Sequence, residues 1–121
     1  MEDFRSFMES AVPANRRSFD WYDPQHDPAG KYTVDCRLNG MQKPIMVFAL
    51  PSDDRVRDAT ISLLQFERWT IPHRSMAIYE DQEEVNRKVL ARFSDVCEKQ
   101  FSSLGTNKDR IATYLNESLR G

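Results

Sequence analysis

No apolar stretch in this chain approaches the roughly 18 residues that a membrane-spanning helix needs. The opening MEDFRSFMES is acidic where a secretory signal would be basic and then apolar, which predicts a cytoplasmic protein. Glycine is scarce, with four residues in 121, and neither a glycine-rich phosphate loop nor a Gly-x-Ser-x-Gly elbow occurs. Nucleotide-cradling backbone and the common nucleophilic hydrolase layout are therefore not expected. Neither sign of charge dominates: 17 basic against 19 acidic residues leave a net charge of -2, so no broad positive field draws in nucleic acid, although a local basic patch is compatible with the balance. The two cysteines, Cys36 and Cys97, have apolar neighbours and no partner at metal-ligand spacing. Both read as buried free thiols.

Hydrophobic residues make up 40% of the chain and charged residues 30%, which offsets chain entropy and excludes the composition of disordered segments. The length suits a single domain spanning residues 1–121. Phe4, Phe7, Met8 and Val12 recur at helical spacing before Pro13, so residues 3–12 are expected to form a short amphipathic helix. Phe19 and Trp21 alternate in a strand over residues 15–22, and two Asp-Pro steps then favour a loop. Residues 31–38 alternate as a half-buried strand and end at Asn39-Gly40, the pair best suited to a two-residue hairpin turn, with the return strand beginning at Met41. The return strand carries Ile45 to Leu50, an apolar run that only a strand covered on both faces needs.

Ser52, Asp53 and Asp54 offer helix caps, and Val56, Ala59, Thr60, Leu63, Leu64 and Phe66 read as the core stripe of a four-turn helix. Residues 74–79 read as an internal strand. Asp81 and Glu84 suggest a capping box that opens one long helix with Val85, Val89, Phe93, Val96, Cys97 and Phe101 on a shared face. A break near Gly105 and a cap at Asn107 precede a last helix at residues 107–119, either packed on the long helix or free to dock a partner. The expected fold is α/β in the order α-β-β-β-α-β-α-α. It is a small mixed sheet whose antiparallel meander is covered by helices on both faces.

This order, with the stretches YTVDCRL and KPIMVFALPSDD, resembles the restriction-endonuclease-like fold with its PD-(D/E)XK site, over residues 3–101, and is similar to prophage-borne domains of this layout. The resemblance implies a bacterial or phage protein, with an Asp on the second strand and a Glu or Asp plus a Lys on the third, holding Mg²⁺. Asp35 stands for the first Asp, but Ile45 to Leu50 supplies neither a carboxylate nor a lysine. A Lys43 brought opposite Cys36 by a tight turn would point away from Asp35. Some members move the second carboxylate to the next helix or carry Gln-x-x-x-Tyr there, which makes Gln65 and Glu67 candidates, with Trp69 in the place of Tyr.

Asp20, Asp23, His26 and Asp27 gather an imidazole and three carboxylates, yet turn chemistry accounts for them without a metal. His73 reads as a surface residue. Arg16 and Arg17 are candidates for phosphate or acidic contacts, and Trp21 and Trp69 for binding aromatics, with Tyr22 beside them. Arg55, Arg57 and Arg68 interleave with acidic residues and read as a solvated helix face. The expected function is a non-catalytic interaction module on a nuclease-like scaffold, binding a protein partner, a second copy or nucleic acid, with no cofactor. The alternatives are a divergent Mg²⁺-dependent nuclease using Asp35, Gln65 and Glu67, and a subunit or fragment of a larger assembly.

Overall fold

All six side chains from Ile45 to Leu50 are buried in the computed structural model, which describes residues 1–120. They form β3, Ile45–Leu50, the middle strand of a five-stranded sheet. The other strands are β1, Arg17–Trp21; β2, Val34–Leu38; β4, Arg74–Tyr79; and β5, Lys99–Phe101, and they lie in the order β1-β2-β3-β4-β5. The first three make an antiparallel meander, while β4 and β5 run parallel to β3.

Alternation sends Ile45, Val47 and Ala49 to one face, where they meet Phe4 and Met8 of α1, Asp3–Ala11, and Ile111 and Leu115 of α4, Leu104–Arg120. Met46, Phe48 and Leu50 face Val56, Ala59, Leu63 and Phe66 of α2, Asp53–Arg68, and Val89 and Phe93 of α3, Arg87–Ser94. Each large side chain sealed in this way contributes about 1.5–3 kcal/mol. None of the helices among the described residues is long and apolar enough to cross a membrane.

The α/β class, the meander and the double-sided burial agree with the sequence reading, and four details differ. The Asn39-Gly40 turn is not a two-residue hairpin: Leu38 pairs with Ile45 and Cys36 with Val47, so residues 39–44 form the loop. Arg16 fills that loop. Its Nε donates to the Asn39 carbonyl at 2.7 Å and its Nη2 to the Leu119 carbonyl at 3.0 Å, which ties the loop to the end of α4. Gly40 sits at φ 90°, and a Cβ there would lie 2.3 Å from Arg16 Nε, so only glycine lets the guanidinium approach.

The expected long helix is instead a short turn, a helix and a strand. Asp81 caps a 3₁₀ turn at Gln82–Glu84, and the Asn86 side chain accepts from the Lys88 and Val89 amides to start α3 afresh. Phe93 and Phe101 do not share a face, because the sheet lies between their clusters. The observed order is therefore α-β-β-β-α-β-α-β-α, apart from the two short 3₁₀ turns. The last helix begins at Leu104 and kinks at Asn107, which has φ -120° and ψ 15°; it packs against α1 and β5 on the face away from α3. Within α2, Leu64 belongs to the exposed surface, and Thr60 is half-buried with its hydroxyl donating to the Val56 carbonyl.

At the C-terminus of α2 the Ile71 amide donates to Phe66 and the Thr70 amide to Glu67, a Schellman arrangement that places Thr70 at φ 58°. A β-branched residue is strained in that left-handed conformation, which glycine adopts freely. Thr70→Gly is expected to stabilise the protein by about 0.5–1 kcal/mol in urea unfolding at unchanged m-value. A loss of stability would mean that contacts of the Thr70 side chain outweigh the backbone strain.

Candidate functional site

The antiparallel register of β2 and β3 sets Asp35 level with Phe48 and Ala49, at the end of β3 where the chain turns into α2. One carboxylate oxygen accepts from the Ala49 amide at 2.8 Å, and the other accepts from Arg55 Nη2 at 2.6 Å. Arg55 reaches there from the first turn of α2, whose start is set by the Ser52 side chain accepting from the Arg55 amide. Burial raises the Asp35 pKa, and this outweighs the opposing pull of the Ala49 amide and of Arg55; the charge of Asp20 adds slightly to the rise. Beside Asp35 runs an open groove of about 450 Å³, lined among others by Asp20, Tyr32, Arg55, Asp58 and Ser62. Asp20 is largely solvated and lies 3.6 Å from Arg5.

The other two members of the candidate nuclease set do not join Asp35. Gln65 and Glu67 are outside the lining of this groove, and Gln65 follows Arg55 by ten residues, about 15 Å along the helix. Among the described residues no group of three or more His, Cys, Asp or Glu side chains is placed to hold a metal ion. The loop carboxylates are occupied by backbone: Asp23 accepts from the Gln25 and His26 amides, and buried Asp27 accepts from those of Lys31 and Tyr32. The His26 amide and the other hydrogen bonds lower the Asp23 pKa.

No protein-family model, curated protein or solved structure matches the chain. The candidate binding residues split into two places. Arg16 is spent on the loop and α4, while Arg17 Nε donates to the Val12 carbonyl at 3.1 Å and its guanidinium lies 5.5 Å from the Phe19 ring. Trp21 and Trp69 are half-buried at the rim of the core on the α2 side. Trp21 meets Phe66 edge-on beneath the Arg37 guanidinium, and Trp69 stacks on His26 and meets Tyr32 edge-on. Tyr22 remains exposed.

His73 is half-buried rather than exposed, with its Nδ1 2.7 Å from the Ile71 carbonyl and its ring on the edge of Phe66. Both thiols are buried, which pushes Cys36 up to about 12 and Cys97 up to about 11 and keeps them protonated and unreactive at neutral pH. Two surface features escape the sequence reading: the Asp35–Arg55 pair and the exposure of Ile61 and Leu64. The second was legible as spacing. Ile61 and Leu64 fall on the opposite side of a helical wheel from Val56, Ala59, Leu63 and Phe66.

Because folding raises the Asp35 pKa above its ordinary 3.8, the stability that Asp35 contributes is fully present below that pH and is lost as pH rises through the folded value. Asp35→Asn lacks this dependence. Measured by urea unfolding between about pH 3 and pH 7, the wild-type stability minus that of Asp35→Asn is expected to fall as pH rises. A difference that grows with pH would show that Arg55 and the Ala49 amide outweigh burial.

Proposed function

We propose that this chain is a non-catalytic interaction module on a restriction-endonuclease-like scaffold, and that it acts by binding a macromolecular partner. The order of helix, antiparallel meander, crossover helix α2 and parallel β4 supports the scaffold. The observation that carries the loss of catalysis is the state of Asp35. It stands where the resemblance expects the first metal-binding carboxylate, yet Arg55 occupies one oxygen and the Ala49 amide the other.

A metal site of that type needs a second carboxylate and a lysine from the neighbouring strand. The residues that β3 offers at this level are Phe48, Ala49 and Leu50, all apolar and buried. A divalent ion at Asp35 would have to displace the Arg55 guanidinium and find its remaining ligands in water. The fold keeps its shape without the reaction, because both layers of the core are complete around the same strand.

Supercoiled plasmid and single-stranded DNA incubated with Mg²⁺ or Mn²⁺ are expected to remain uncut by the wild type, Asp35→Asn and Asp35→Ala alike. Metal-dependent cleavage by the wild type that disappears in Asp35→Asn, with the variant still folded by circular dichroism, would overturn the non-catalytic reading.

A further inference from the structure

The outer side of α2 carries Arg57, Ile61, Leu64 and Arg68 at i, i+4, i+7 and i+11, an almost straight stripe spanning about 16 Å. All four are exposed; Ile61 and Leu64, at 54% and 49%, exceed every other large hydrophobic residue among those described. Next to the stripe, α2 and α3 enclose a shallow groove of about 230 Å³ formed by Arg57, Thr60, Ile61, Val89 and Arg92. Thr60 spends its hydroxyl proton on the Val56 carbonyl, so the groove is apolar between two guanidinium groups.

The charges around this apolar strip are unevenly placed. Lys88 and Arg92 lie one turn apart on α3, and among the described residues neither they nor Arg68 has a carboxylate within ion-pair distance. Arg57 pairs with Asp54 at 3.0 Å, but both side chains are solvated, so that pair exchanges readily. Asp58, one turn before Ile61, borders the strip on the side away from α3, where it lines the Asp35 groove together with Ile61. The strip is thus apolar in the middle, with arginines at both ends and Lys88 and Arg92 along α3, while its carboxylate neighbours Asp58 and Glu67 belong to α2 itself.

We propose that this face docks an amphipathic helix of a partner protein whose apolar stripe is bordered by carboxylates. The inference rests on the interaction-module reading and names its partner. A second copy of this chain fits poorly: antiparallel pairing of α2 about Ile61 and Leu64 sets Arg57 against Arg68, and parallel pairing sets Arg57 against Arg57. A nucleic acid has no use for the exposed Ile61 and Leu64 at the centre, where binding energy concentrates. A helix with leucines at i, i+3, i+4 and i+7 fills the groove, and its flanking glutamates meet Arg57, Arg68 and Arg92.

The test uses a stapled helical peptide of about five turns with a leucine stripe bordered by glutamate, and a twin with lysine in place of each glutamate. Fluorescence anisotropy is expected to show binding of the glutamate peptide alone. Ile61→Asp with Leu64→Asp should weaken it by at least about tenfold. Arg57→Glu with Arg92→Glu should transfer the preference to the lysine peptide. All four positions are solvent-facing, and circular dichroism is used to check that each variant folds.

Equal binding of both peptides, or of neither, would overturn the proposal. So would a dimer in light scattering that Ile61→Asp dissociates, or single-stranded DNA binding that the arginine reversals abolish. If docking fails while DNA stays uncut, the non-catalytic reading stands and only this face is withdrawn. If Asp35-dependent cleavage appears, the reading itself falls first.

Discussion

Everything in this fold depends on burying one strand on both sides. β3 has no polar side chain with which to face water, and a sheet built around it is stable only if each face is roofed by helices. The chain supplies α1 and α4 to one face and α2 and α3 to the other. The crossover from β3 through α2 to β4 then fixes a parallel neighbour, and β4 is buried almost as completely as β3. The backbone amides of this core are satisfied by the ladders on either side, so the apolar run costs nothing in unmet hydrogen bonds.

The same strand shapes the candidate site. A catalytic carboxylate and lysine on a central strand are kept polar by an open cleft, whereas Phe48 and Leu50 are sealed under α2. Asp35 is left as the one acidic group at that end of β2, half-buried, and its charge is met by the nearest available donors. The pair is local and structural in form. Removing Arg55 leaves the half-buried Asp35 with fewer partners for its charge, whereas removing Asp35 leaves the exposed Arg55 guanidinium solvated.

How far the sequence could be read varies with the range of the forces involved. The double-sided strand was legible because six consecutive apolar residues admit few alternatives. The loop at Asn39-Gly40 was not, because its register is set by Arg16, more than twenty residues earlier in the chain, whose guanidinium holds the loop open. Val85, Val89, Phe93, Cys97 and Phe101 recur every fourth residue and imitate one long helix. Only the Asn86 cap and the pairing of Lys99–Phe101 with β4 break the imitation, and pairing with a distant strand leaves no local trace. For the site, Asp35 was identifiable from its strand position, but its partner Arg55 was not, since Arg55 also fits a solvated helix face.

α2 joins the core to the surface, and its residues divide by what they face. Val56, Ala59, Leu63 and Phe66 close the core, Arg55, Asp58 and Ser62 border the Asp35 groove, and Arg57, Leu64 and Arg68 face outward, with Ile61 at the edge shared by the groove and the outward side. The first set supplies the hydrophobic burial. Substitutions on the outward side leave the core untouched, because distant, independent sites contribute additively to stability. α2 therefore presents one side whose residues the core does not constrain. Ile61 and Leu64, the large hydrophobic residues of α2 that the core leaves exposed, lie on that side, and such exposed apolar area on a rigid helix is the feature on which the docking proposal stands.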